Sequence, residues 1–164
     1  MGATVKRLPI LAASLVLFAL NGCGGDSNPT GINGNTNVGD GSMSATINGT
    51  AWRSLKSGDK GSHNGQIYAV VGLNGSYTIA IGIAGLTAPG TVDLSLASGN
   101  GSNAIVSNSV GGWGTAFNGG SGTVTVTTLT ANRIAGTFSF DAPAGSGNAT
   151  GTLQVRNGKF DVTF

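Results

Sequence analysis

Few side chains in this sequence can do chemistry, and their types limit what that chemistry would be. There is one cysteine, Cys23, and one histidine, His63. The acids are all aspartates, namely Asp26, Asp40, Asp59, Asp93, Asp141 and Asp161, with no glutamate. A Ser-His-Asp arrangement would need His63 as its base. That residue sits in Gly58-Asp59-Lys60-Gly61-Ser62-His63-Asn64-Gly65, which reads as a mobile loop, and no Gly-x-Ser-x-Gly elbow accompanies it. Zinc takes several His or Cys ligands, more than one of each can supply. Calcium takes clustered oxygens, and no Asp-x-Asp spacing occurs; Asp59, Asp93 and Asp141 would have to meet through loops. A glycosidase needs two opposed carboxylates. The sequence therefore predicts no catalytic residue, no metal site, no cofactor and no enzyme.

Gly111-Gly112-Trp113-Gly114 lacks the strand–loop–helix setting of a phosphate cradle and reads as a turn or bulge. Among the large aromatics, Trp52 is expected to plug the core, with Tyr68 and Tyr77 straddling its edge and their hydroxyls reaching water. Trp113, flanked by glycines, is expected to be exposed, which makes it the one candidate ligand contact.

Cys23 is the other reactive group. Ahead of it stand Lys6-Arg7 and an apolar stretch from Leu8 to Leu20. That stretch is too short for the roughly 20 residues of a spanning helix; a basic start and an apolar core make a secretory signal. Leu20-Asn21-Gly22-Cys23 resembles the bacterial lipobox, departing from it at Asn21. The resemblance implies diacylglycerol linked to the Cys23 thiol, cleavage after Gly22 and acylation of the new amino terminus. Several acyl chains would anchor the protein stably, since one chain alone binds only marginally. Gly24 follows, not the aspartate that often retains such proteins at an inner membrane. The expected location is thus the cell envelope, and the outer membrane where the source has one.

Lys6 and Arg7 leave with residues 1–22, so six of the eight Lys and Arg remain against six Asp. The mature chain is nearly neutral, which argues against nucleic acid as a partner. Charged residues are 9 % of the sequence, against about a quarter in ordinary globular domains. Gly, Ser, Thr and Asn solubilise it instead. Residues 23–42 hold the acylated cysteine and a Gly/Asn/Ser run with little to bury, which reads as a flexible tether. Residues 43–164 form one domain.

Within that domain the hydrophobic period is two. Met43, Ala45 and Ile47 share a face; so do Ile79, Ile81 and Ile83, and then Val92, Leu94 and Leu96. Asn48-Gly49 and Asn74-Gly75 are hairpin signals. Ala104 to Phe117 is Gly-broken, with two short strands. Gly122–Leu129 and Arg133–Phe140 follow, Gly136 marking a bulge or a close-packing site, and then a Gly/Ser loop. Asn157-Gly158 reads as the turn of a last hairpin, Thr150–Arg156 with Lys159–Phe164. No stretch has helical periodicity. The fold class is all-β, an antiparallel β-sandwich of about nine or ten short strands, with a small closed barrel as the alternative.

Four stretches together resemble an uncharacterised family of bacterial secreted proteins and lipoproteins. They are Ala45-Thr46-Ile47-Asn48-Gly49-Thr50-Ala51-Trp52, Gly122-Thr123-Val124-Thr125-Val126-Thr127, Ile134-Ala135-Gly136-Thr137-Phe138-Ser139-Phe140, and Val155-Arg156-Asn157-Gly158-Lys159-Phe160-Asp161-Val162. The resemblance implies a β-rich, exported domain of unknown function and transfers no catalytic residue. The functional expectation is a non-enzymatic envelope domain, held to the membrane through lipid on Cys23, with a structural or interaction role. The alternative is a glycan- or peptide-binding module, its partner a glycan or an envelope protein.

Overall fold

The computed structural model describes residues 42–164. The signal segment, Cys23 and all of the tether before Ser42 lie outside the described residues. Eleven strands follow in order: β1 (Ser44–Ile47), β2 (Thr50–Arg53), β3 (Lys60–Asn64), β4 (Ile67–Leu73), β5 (Thr78–Ala84), β6 (Gly90–Asp93), β7 (Asn103–Ser107), β8 (Gly111–Gly114), β9 (Ser121–Thr130), β10 (Arg133–Gly147) and β11 (Thr152–Thr163). Short 3-10 turns at Lys56–Gly58 and Leu96–Ser98 are the helical elements among the described residues.

Every ladder is antiparallel, and together they make one curled sheet, a half-barrel. Two limbs meet at β10. The first runs β2-β1-β11-β10-β9-β6, and the second runs β10-β8-β7-β5-β4-β3. The residues of β10 from Arg133 to Asp141 pair with β9, whereas Ala144 to Gly147 pair with β8. One fifteen-residue strand therefore serves both limbs. The all-β antiparallel expectation holds, with the two limbs joined through a shared strand.

Alternation builds the core. On the second limb Val70, Ile79, Ile81, Ile83 and Val106 point inward; on the first, Val124, Val126, Phe138, Phe140, Val155 and Phe160 do so. Phe140 is 1 % exposed, and its ring stacks on Phe138 at 5.9 Å. Buried hydroxyls take over backbone pairing where ladders stop. Thr115 Oγ1 accepts the Ala104 N–H at 2.9 Å, and Ser102 Oγ accepts that of Ala84 at 2.9 Å. Ser42 donates its N–H and its hydroxyl to Asp59 Oδ2, so the chain entering the domain is pinned at its first described residue.

The turn signals mostly work. Asn48 and Gly49 take φ of 48° and 81° and join β1 to β2. The β4–β5 hairpin forms at Asn74-Gly75-Ser76-Tyr77, where the Asn74 carboxamide accepts the N–H groups of Ser76 and Tyr77. Gly136 is both a bulge site and a close contact: a side chain there would meet Thr125 O.

Four local expectations are corrected. The stretch around His63 is edge strand β3, because each residue from Lys60 to Asn64 stands opposite a residue of β4 in an antiparallel ladder. The Gly/Ser segment after Phe140 continues β10 to Gly147, held by β8. Leu96 sits in the second 3-10 turn and is 65 % exposed, so only Leu94 of that run is fully buried. Finally, Asn157-Gly158 does not reverse the chain. It is a bulge within the single strand β11, both halves of which pair with β10. The ladder steps from Phe138–Gly158 to Phe140–Val155, so three residues of β11 answer two of β10. Asn157 carries the left-handed φ of 54°. Gly158 lies directly under the Phe138 ring, where a Cβ would collide. The inserted residue switches parity: Leu153 and Val155 face inward before it, Phe160 and Val162 after it.

Candidate functional site

The alternation that points apolar residues inward sends the others out, and register then decides which of them stand side by side. On the first limb two transverse rows result. In one, Arg53 pairs with Ser44, Ser44 with Lys159, Lys159 with Thr137, Thr137 with Thr125, and Thr125 with Thr91. The row crosses six strands, about 24 Å at the usual strand spacing. The second contains Thr46 opposite Arg156, and Ser139 opposite Thr123, which faces Asp93. Threonine suits these positions because it combines a β-branched strand former with a hydroxyl.

Between the rows the β11 bulge opens a groove of about 640 Å³. It is lined by Thr123, Thr125, Thr137, Ser139, Arg156, Asn157 and Lys159, with Phe138 and Gly158 at its floor. Arg156 clamps the bulge. Its Nη1 donates to Phe140 O at 2.8 Å and to Val155 O at 3.0 Å, and its Nη2 donates to Asp141 Oδ1 at 2.6 Å. Ser139 Oγ donates to Val155 O at 3.3 Å, and Thr91 and Thr125 share a hydroxyl–hydroxyl bond of 2.9 Å. The side chains of Thr123, Thr137, Asn157 and Lys159 have no hydrogen bond to any described residue. The groove thus presents two hydroxyls, a carboxamide and an ammonium to whatever enters it.

The acids nearby are engaged. Asp161 accepts Nε and Nη2 of Arg133 at 2.7 and 2.6 Å. Those hydrogen bonds hold its carboxyl below the usual carboxylate value, and the same pair raises the Arg133 guanidinium. Asp93 accepts the Ser95 N–H at 2.7 Å, which lowers its carboxyl likewise.

The residues singled out from sequence fall elsewhere. Trp113 is 6 % exposed, correcting the expectation that it stands free for a ligand. It lies between Val106 and Ala144 on the inward face, and its Nε1 donates to Thr150 O at 3.0 Å. The flanking glycines leave room for the Ser146 hydroxyl and the Phe117 ring. Trp52 is buried in the core, while Tyr68 and Tyr77 pack half-buried at its edge. His63 packs its ring edge against Phe164 at 4.6 Å and stacks beside Tyr68 at 5.8 Å. Asp59, Asp93 and Asp141 are not brought together; among the described residues no three His, Cys, Asp or Glu side chains form a metal-sized group. Cys23 lies outside the described residues. Sequence reasoning missed the groove. Its one visible signal was Thr123-Val124-Thr125, an outward threonine repeat.

An all-β fold with an open polar groove on its outer face defines a class, not an activity. The chain belongs to the family described as a domain of unknown function (DUF6252), whose model matches residues 39–162. The match spans the strands from β1 nearly to the end of β11. No curated protein and no solved structure matches the chain.

Proposed function

We propose that this is a lipid-anchored, non-enzymatic β domain of a bacterial cell envelope that works by binding. The observation that carries the binding role is the groove over the β11 bulge: it is open and holds polar side chains with no hydrogen bond among the described residues. The anchor rests on Lys6-Arg7, the apolar run and Leu20-Asn21-Gly22-Cys23. The reading without an enzyme is supported by where the reactive groups are spent. His63 lies among the rings of Tyr68 and Phe164, and Asp141 and Asp161 are each tied to an arginine.

Labelling of cells with radioactive palmitate, with membrane fractionation, tests the anchor. The wild-type chain takes up label and sediments with membranes, and Cys23→Ala loses the label and turns up in the soluble fraction. Unchanged sedimentation of the unlabelled variant would overturn the lipid anchor.

A further inference from the structure

We infer that the groove on the outer face of β9, β10 and β11 is a binding site for an acidic oligosaccharide, with Lys159 as the carboxylate contact and the threonine hydroxyls as the sugar contacts. This rests on the reading of the domain as an envelope binding module and names its ligand class.

The donor set points to a sugar. Thr123 and Thr137 hydroxyls and the Asn157 carboxamide each donate and accept, which matches the hydroxyls of a sugar ring. Lys159 supplies a single full charge. Its row neighbours are Ser44 and Thr137, and the nearest acid along the strand, Asp161, is already paired with Arg133. Arg156 is neutralised by Asp141. The groove therefore offers one uncompensated cation among several neutral polar groups. A ligand whose ring in the groove sets one carboxylate beside hydroxyls, as each ring of a uronic-acid chain does, complements it.

Other occupants fit less well. An extended peptide could be added as a strand only at a free edge, and at the groove β9, β10 and β11 are each paired on both sides. An apolar ligand would strand the hydroxyls without partners. At about 640 Å³ the groove has the size of a small-ligand site, with room for a short oligosaccharide.

The test uses the full-length chain in detergent, with hexagalacturonate as probe and its methyl ester as the neutral control. Wild-type protein binds the acid, and the ester binds weaker by roughly tenfold, as expected for loss of a charge-assisted hydrogen bond. Lys159→Met brings the acid down to the ester's level. Thr137→Val weakens both by about threefold, the worth of one neutral hydrogen bond. Both variants melt as wild type, since both residues are outside the core. Equal binding of acid and ester, binding untouched by Lys159→Met, or equally good competition by inorganic polyphosphate would each overturn the proposal. A photo-crosslinking residue placed at Thr125 in cells separates this proposal from the binding role itself. Crosslinking to a glycan supports the proposal. Crosslinking to protein overturns the ligand class and leaves the binding role standing, whereas no crosslink together with no hexagalacturonate binding removes both.

Discussion

The two limbs obey the same rule inward and differ outward in their middle rows. Each presents aliphatic or aromatic side chains to the shared core. The middle row of the second limb's outer face reads Lys60, Val71, Ala80, Ile105 and Gly114, with Phe117 closing over Gly114. The corresponding row of the first limb reads Arg53, Ser44, Lys159, Thr137, Thr125 and Thr91. Val71 and Ile105 hold a strand as well as threonine does. Folding therefore does not call for hydroxyls or an ammonium on the first limb. The proposed binding role would use them, beyond the solubility that Ser, Thr and Asn lend the whole surface.

The largest effect tests the device on which the first limb depends. Deleting Asn157 removes the inserted residue, and a one-residue slip turns every side chain beyond it to the other face. Either Leu153 and Val155 or Phe160 and Val162 would then leave the core. Thermal unfolding followed by circular dichroism is expected to lose its cooperative transition; a sharp melt would show that the limb can re-register without the bulge.

Next come the inward faces, where the limbs should agree. Phe140→Ala is expected to cost about 3–5 kcal/mol and Ile81→Ala about 2–5 kcal/mol. Urea denaturation gives both values. A cost far smaller on one limb would break the picture of a core shared equally.

On the outer faces stability should barely respond on either limb. Thr137→Val and Val71→Thr are each expected to stay within about 0.5 kcal/mol of wild type by the same measurement. A large loss for Thr137→Val would assign the hydroxyl row to folding.

The smallest effect concerns acid. The carboxyls of Asp93 and Asp161 are both lowered in the folded state, by the Ser95 N–H and by Arg133. A lowered carboxyl contributes stability that is complete above its ordinary value of 3.8 and is lost as pH falls through the lowered one. Melting temperature should hold from neutral pH down to that value and fall beneath it. Asp161→Asn should shallow the fall slightly, the pair being surface-exposed. An unchanged acid profile would show that the pair adds nothing to the first limb.

Much of this architecture was legible in the residues. Period-two runs such as Ile79, Ile81 and Ile83 carry their facing with them, because successive side chains on a strand must alternate. Asn48-Gly49 announced its turn because few residues tolerate positive φ. Three failures share a different cause. Asn157-Gly158 has the chemistry of a hairpin turn and became a bulge, because β10 pairs with both halves of β11 and Phe138 occupies the space above Gly158. The His63 segment is polar and Gly-bearing, yet β4 supplies it with a ladder. Trp113 looked exposed from its glycine neighbours and is buried, because Val106 and Ala144 close on it from two other strands.

The sequence by itself determined the class: an all-β domain, its core faces and most of its turns. Those follow from side-chain period, turn stereochemistry and composition, which are local. Only the tertiary structure decided that Thr91, Thr125, Thr137 and Lys159 stand in one row. They lie on four strands far apart in the chain, and a row across strands exists only once the register of each ladder is set.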